Sequence, residues 1–439
     1  MKKVRFIHAA DIHLGSALSV GGEYNQEIAD HIDNAIYKTF TRVFDQALER
    51  EVDFVLLAGD LYDQESRSVK ANKFFNEQCL RLAEKDIPVF LVAGNHDPLV
   101  GYYNILDMPD NVHLFQENQP ETKKVYDQDG ELIVAIAGVS YKNRAESRKI
   151  HLGYDSIPGV WNIGILHSQL ENDNKNYIPS SLQELLDMED FHYWALGHIH
   201  KYRLLHKSRD RAVVFPGVPQ GRDMGEEGLG GAVLVDLIPG AEPEIEFLNL
   251  SSIVYQRIEV PIDSIKSGNI SDIQNLITDI SHELLDSNFH LDITDYNYID
   301  GYIVDWILIG RGEISNLLDE KKDEVISFLI DALRQKLIKS SPFIWTRKVF
   351  DRTGSPLDDY IIHNNPVFND IDKITMLLKE NIEFQEELLE ELGDIWTKDI
   401  NHEELDYTQF ELTDELLKAI LEQARQNILE EILERRDLS

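Results

Sequence analysis

The chain is poor in cysteine and has no long hydrophobic run. A single cysteine, Cys79, among 439 residues excludes an internal disulfide framework and favours a reducing, cytoplasmic setting. No window reaches the 18 or more apolar residues of a membrane-spanning helix. The apolar start is interrupted by Arg5, His8 and Asp11, so we expect no signal peptide.

Basic residues are also scarce. The chain has 42 Lys and Arg against 79 Asp and Glu, a formal net charge of −37. Because a nucleic-acid backbone is normally held by Lys and Arg, this charge argues against strong autonomous DNA binding. More than half of the excess acidity lies beyond residue 250, and net charge governs long-range attraction rather than the chemistry of a local site.

The length of 439 residues predicts two or three domains. Apolar runs of strand length at 4–11, 53–60 and 88–95 alternate with helical periodicity at 27–51 and 69–86. This βαβαβ order predicts a largely parallel sheet. Later apolar runs with shorter connections predict a second sheet packed on the first.

Two further segments follow the first 250 residues. Residues 254–355 alternate strand and helix patterns and predict a separate α+β unit, whereas 367–439 is acidic and only helical, with an amphipathic stripe at 411–436. We therefore predict an α/β fold over 1–250, a small α+β domain over 254–355 and a C-terminal helical segment.

Several predicted strands end in polar residues that can bind metal ions. Loops that leave parallel strands at one sheet edge can bring such residues together. The residues are Asp11, His13, Asp60, Asn95, His96, Asp97, His167, His198 and His200.

This set contains carboxylates, imidazoles and one amide, without a thiolate. It suits Mn²⁺, Fe or Zn²⁺, and a central carboxylate such as Asp60 can bridge two ions. Gly59, Gly94 and Gly197 stand beside these residues, and we expect them to allow close backbone approach.

The order DxH, GD, GNHD, H and GHxH resembles the calcineurin-like metallophosphoesterases. The forms DIHLG, GDLYD, GNHD and GHIH are similar to the SbcD / Mre-eleven nuclease branch, and PGVPQGRDMGEEG at 216–228 is similar to its YhaO-type bacterial members. The resemblance implies a four-layer β-sandwich of two mixed sheets flanked by helices. It also implies that 254–355 is a capping domain that shapes DNA access.

The resemblance also implies roles for individual residues. His96 would stabilise the transition state or protonate the leaving oxygen, and Asp97 would orient its ring. Related members often place a histidine where this chain has Asp63. One metal ion would be held by Asp11, His13, Asp60 and His200, and the other by Asp60, Asn95, His167 and His198.

The function implied is a two-metal DNA phosphodiesterase, a 3′–5′ exonuclease with or without endonuclease activity. It would act in double-strand-break repair or DNA-end processing, with Mn²⁺ expected and Fe or Zn²⁺ as alternatives. A SbcC-like coiled-coil ATPase would dock on 367–439, and the chain would form a homodimer.

Three basic residues are candidates for substrate binding. Lys142 and Arg144 belong to the basic stretch 142–149, which is either a phosphate-contacting patch or a solvated loop. Arg222 either lines the rim of the site or belongs to a turn set by the surrounding Pro and Gly residues.

Two other functions stay open. The first is a phosphatase or small-substrate phosphodiesterase of the same fold, although Gln64 and Glu65 follow Asp63 where protein phosphatases have arginine. The second is a non-catalytic assembly scaffold, against which stands the completeness of the ligand set.

Overall fold

The structure is a computed structural model of the chain. It describes residues 1–24, 26–63, 68–99, 107–170, 176–265, 269–285, 298–354, 366–380, 396–397 and 410–411, and single positions between 420 and 428. The chain divides into two compact units, Met1–Gly354 and Ser355–Ser439.

The first unit contains strands β1 to β15 and helices α1 to α6. The strands are β1 Val4–Ala9, β2 Phe54–Ala58, β3 Val89–Val92, β4 Val112–Leu114, β5 Glu121–Tyr126, β6 Leu132–Gly138, β7 Trp161–His167, β8 Tyr193–Gly197, β9 Arg203–Lys207, β10 Ala212–Phe215, β11 Gly231–Leu237, β12 Glu244–Asn249, β13 Ile253–Pro261, β14 Gly301–Arg311 and β15 Phe343–Gly354. The helices are α1 Gln26–Asp33, α2 Ala35–Glu49, α3 Val69–Ala83, α4 Leu182–Asp187, α5 Ile270–Leu285 and α6 Ile314–Leu337.

Two six-stranded mixed sheets form the larger part of this unit. The first has the order β12-β11-β1-β2-β3-β4, and β1 to β4 run parallel, as the βαβαβ pattern predicts. The second has the order β5-β6-β7-β8-β10-β9, in which β6, β7, β8 and β10 are parallel. Antiparallel strands complete both sheets, at β11 and β12 in the first and at β5 and β9 in the second.

The two sheets pack face to face around a shared apolar core. The rings of Phe6 and Phe54, on neighbouring strands of the first sheet, stack at 4.9 Å, and Phe6 meets Tyr193 of the second sheet edge to face at 5.1 Å. Helices α1 to α3 cover the outer face of the first sheet. The predicted α/β fold, with sheets flanked by helices, is therefore confirmed.

A third, three-stranded sheet is built from β13, β14 and β15, which are all parallel. Helices α5 and α6 pack on it through apolar residues such as Ile277 and Leu333. Its β15 also contacts the loop after β1, because the Trp345 indole donates to the carbonyls of Val20 and Gly21 at 3.2 Å.

The second unit contains helix α7 (Pro366–Glu380) and the short paired strands β16 (Trp396–Thr397) and β17 (Phe410–Glu411). Most of the predicted amphipathic stripe at 411–436 lies outside the described residues. In the part of the chain that the structure describes, no helix is both long enough and apolar enough to cross a membrane.

We expect the core between the two large sheets to dominate the stability of the first unit. Phe54 is fully buried, so Phe54→Ala should lower the free energy of unfolding by about 3–5 kcal/mol, because it removes apolar contacts and leaves a cavity. Chemical denaturation measures this loss. Phe328→Ala on α6, where the side chain is 52% exposed, should change stability by less than about 1 kcal/mol. Equal losses for the two variants would contradict this assignment of the core.

Candidate metal centre

The candidate ligands lie at the carboxyl ends of parallel strands from both large sheets. Asp11 and Asp60 follow β1 and β2, and hydrogen bonds join their loops, since Asp11 N donates to Gly59 O and His13 N donates to Asp60 O, both at 3.0 Å. On the second sheet, His167 is the last residue of β7. Asn95 follows β3, and His198 and His200 follow β8.

The backbone is strained at four of these positions. Asp11, His13, Asp60 and His198 have positive φ angles of 53°, 49°, 51° and 100°, a region that non-glycine residues rarely adopt. Such strain persists only where the surrounding structure enforces it, and it concentrates at functional sites.

Two of the predicted glycines make room for the ligands. A Cβ atom on Gly94 would lie 2.2 Å from Oδ1 of Asp60, and one on Gly197 would lie 1.9 Å from the carbonyl oxygen of Ala58. Any side chain at these positions would push the loops apart. The requirement for glycine is therefore steric at both positions.

A first group of ligand atoms comes from Asp11, His13 and His200, which lie within 4.8 Å of one another. His200 Nε2 is 3.9 Å from Asp11 Oδ1. His13 donates from Nδ1 to Asp63 at 2.9 Å, and its Nε2 is buried without a hydrogen-bond partner. A buried nitrogen without a partner is costly, and a bound cation would satisfy it.

A second group surrounds Asn95. Its Oδ1 lies 3.0 Å from His167 Nε2 and 3.1 Å from His198 Nδ1. His167 donates from Nδ1 to the carbonyl of Ala58, which leaves Nε2 as the ligand atom. That atom is 3.3 Å from Asp60 Oδ2, a buried oxygen without a hydrogen bond.

The structure thus brings together all seven residues expected as ligands. Their donor set and the two unpartnered buried atoms fit a pair of divalent cations. The pKa shifts of Asp11 and His167 also indicate that positive charge would stabilise the centre. Burial raises the pKa of Asp11, and although burial alone would lower the pKa of His167, the charge of Asp60 raises it to about 9.

His96 stands at the exposed side of this centre. Its side chain is 48% exposed, its backbone N–H donates to Asp60 Oδ1 at 2.8 Å, and its Nδ1 lies 2.8 Å from Asp63 Oδ1. Burial would raise the pKa of Asp63, but hydrogen bonds from His13 and His96 hold it well below its usual range. Asp63, His13 and His96 also form a third compact group of potential ligands, but their short contacts identify it as a hydrogen-bonded triad.

The family resemblance predicts that Asp97 orients the ring of His96. The structure does not show this contact. The Asp97 carboxylate is buried and accepts backbone N–H groups from Leu61 at 2.8 Å, Tyr62 at 3.3 Å and Gly94 at 2.7 Å. It therefore ties the loop after β2 to the loop after β3. Asp63 takes the orienting position instead, and its place in the GDLYD motif was the available signal.

Glu226 is a further residue that sequence reasoning missed. Its Oε1 accepts from His200 Nδ1 at 2.7 Å and from Arg222 Nη2 at 2.7 Å. Burial would raise its pKa, but these hydrogen bonds lower it to about 2. The only signal was its position in the 216–228 segment.

The predicted substrate-binding residues fall into two situations. Lys142 and Arg144 are exposed, and Tyr141 just before them packs edge-on against His167 at 5.7 Å, so this basic stretch begins beside the centre. Arg222 is partly buried and paired with Glu226 and Asp63.

Comparison with known proteins identifies the family. A profile of calcineurin-like phosphoesterases matches residues 4–202. The metallophosphoesterase YhaO of Bacillus subtilis is 30% identical over 376 residues, which cover 84% of this chain and 87% of that protein. The chain belongs to the calcineurin-like metallophosphoesterase family. Membership of this family identifies the protein as a hydrolase of phosphoester bonds.

Two Mre11 proteins are similar to about half of this chain. The DNA double-strand break repair protein Mre11 of Methanococcus maripaludis is 30% identical over 226 residues, 46% of this chain and 53% of that protein. Mre11 of Methanocaldococcus jannaschii is 30% identical over 228 residues, 48% and 55% of the two chains. The resemblance to YhaO-type and Mre-eleven proteins is confirmed, and the SbcD part of it stays a prediction.

We expect divalent cations to stabilise the phosphoesterase through these ligands. Mn²⁺ at about one hundred times its dissociation constant should add about 2.7 kcal/mol to the free energy of unfolding. His13→Ala should remove most of this gain, because it deletes a buried candidate ligand. Thermal unfolding of chelator-treated protein, with and without MnCl₂, measures the effect.

His206→Ala on β9 is the matched control, since His206 lies outside the ligand groups. This variant should keep the full gain. If His13→Ala kept it too, Mn²⁺ would be acting elsewhere, for example on the many surface carboxylates.

Proposed function

We propose that the protein is a two-metal DNA phosphodiesterase, a 3′–5′ exonuclease of the SbcD / Mre-eleven type that prefers Mn²⁺. The observation that carries the proposal is the position of His96, which is half exposed and hydrogen-bonded to Asp63, beside two groups of side chains that could each hold a metal ion. Its similarity to Mre11 proteins, named for DNA double-strand break repair, supports DNA as the substrate.

The residues of the chain divide the reaction between them. A pair of divalent cations held by the candidate ligands would supply neutralising charge and lower the pKa of water for phosphoryl displacement. Asp11 and Asp60 provide buried negative charge that would hold such cations. The hydrogen bond to Asp63 raises the pKa of His96, so the ring is suited to give a proton to the leaving oxygen.

The strong negative charge suggests that the protein needs help to hold DNA. A net charge of −37 repels a phosphate backbone at long range, whereas the basic stretch that includes Lys142 and Arg144 offers only local attraction. We propose that a SbcC-like coiled-coil ATPase in the cytoplasm supplies the missing DNA contacts and docks on 367–439. The homodimer expected from the family resemblance is part of the same proposal.

Substitution of His96 tests the chemistry directly. His96→Asn should lower the rate of Mn²⁺-dependent cleavage of linear DNA by about 10²–10⁴-fold, because it removes a general acid while the ligands stay in place. Time courses with an end-labelled duplex give the rate and the polarity of degradation. His206→Asn is the control and should cleave at the wild-type rate.

Parallel assays with an aryl phosphodiester separate the alternatives. Hydrolysis of the aryl ester without any cleavage of DNA would favour a small-substrate phosphodiesterase. An unchanged rate of DNA cleavage in His96→Asn would contradict the proposed role of His96. Absence of both activities in Mn²⁺-loaded protein would favour the assembly scaffold.

A further inference from the structure

The segment 216–228 carries a partly buried ion pair that the proposed reaction does not use. The side chains of Arg222 and Glu226 are 19% and 8% exposed. Arg222 Nη2 donates to Glu226 Oε1 at 2.7 Å, Nε donates to Oε2 at 3.3 Å, and the backbone N–H of Arg222 donates to Oε2 at 2.7 Å. This bidentate geometry holds the Glu226 carboxylate in one orientation and in its charged form.

The pair connects two sides of the first ligand group. Glu226 accepts from Nδ1 of His200 at 2.7 Å. On its other side, Arg222 Nη1 donates to Asp63 Oδ2 at 3.3 Å, and Asp63 accepts from Nδ1 of His13 at 2.9 Å. One guanidinium therefore lies between the two carboxylates that orient His13 and His200.

The backbone of Arg222 is itself held from two directions. Its carbonyl accepts the backbone N–H of Ser19 at 2.7 Å and the hydroxyl of Tyr255 on β13 at 2.9 Å. The carbonyl of Tyr255 accepts the N–H of Gly228 at 2.9 Å. The segment is thus clamped onto the first strand of the three-stranded sheet, which gives the guanidinium a rigid base.

We propose that Arg222 is a positioning residue that aligns His13 and His200 on one cation by holding Asp63 and Glu226. The proposal rests on the proposed metal-dependent function and replaces the expectation that Arg222 binds substrate. Its Nε, Nη1 and Nη2 groups already donate to carboxylates, and two negative charges compensate its positive charge. A phosphate would have to break these bonds to reach it.

Mn²⁺ affinity of the full-length chain tests the proposal. Partners that orient a ligand from outside the first coordination layer typically contribute 10–100-fold to metal affinity. Arg222→Gln and Glu226→Gln should each weaken one of the two Mn²⁺ sites by about this factor in calorimetric titrations with MnCl₂. The double variant should lose no more Mn²⁺ affinity than the single variant that binds Mn²⁺ less tightly, because both side chains act through the same hydrogen-bond chain.

The neighbouring pair Arg257 and Glu227 supplies the control. These side chains form an ion pair at 2.8 Å, but they are 44% and 47% exposed and contact no candidate ligand among the described residues. Arg257→Gln and Glu227→Gln should keep the Mn²⁺ affinity of the wild type. Circular dichroism in chelator establishes that each variant is folded before titration.

Two results would overturn the proposal. In the first, Arg222→Gln binds Mn²⁺ as the wild type does while KM for DNA rises, which would make Arg222 a substrate contact. In the second, the two single losses multiply in the double variant, which would show independent roles. If Arg222→Gln does not fold, the near-isosteric Glu226→Gln decides, since unchanged Mn²⁺ affinity in that variant also contradicts the proposal.

The titration is independent of the proposed nuclease activity. A chain that shows the expected pattern of Mn²⁺ affinities but leaves DNA uncut would refute the nuclease assignment alone. A chain that cuts DNA but shows no loss of affinity in Arg222→Gln and Glu226→Gln would refute the positioning role alone.

Discussion

The candidate metal centre depends on the repulsion between the buried carboxylates of Asp11 and Asp60. Asp11 and Asp60 are each 1% exposed, and they lie among histidines at one edge of two stacked sheets. Burying such charges without compensation is costly, because the interior screens them poorly. Backbone N–H groups and imidazoles compensate part of this buried charge. The unpartnered buried atoms of His13 and Asp60 are the positions at which a bound cation would compensate the remainder.

The arrangement of the two sheets brings the candidate ligands together around this buried charge. Parallel strands from both sheets end at the same edge, so short loops can carry ligands from opposite sides. The fully buried core between the sheets keeps these strand ends in register, and it sustains positive φ angles at residues such as Asp11 and His198. Stability of the core and geometry of the centre are therefore linked.

The charge of the whole chain and the charge of the centre act at different distances. The formal charge of −37 would repel a nucleic-acid backbone over the range of a Debye length, whereas a pair of divalent cations would attract one phosphate at contact. Arg222 adds little to either effect, since Asp63 and Glu226 neutralise it. The net charge of the chain is therefore compatible with a phosphoester substrate at the centre.

The sequence by itself determined the sheets flanked by helices and indicated which strand-end residues meet. Apolar run length and the rule for parallel strand ends suffice for that, because both depend on the backbone. Only the tertiary structure decided between Asp63 and Asp97, which follow neighbouring strands and are chemically identical. Asp97 points inward onto backbone N–H groups, whereas Asp63 points to His13 and His96. Glu226 likewise reaches His200 from 26 positions along the chain, and side-chain direction over such distances has no periodic signal in a sequence.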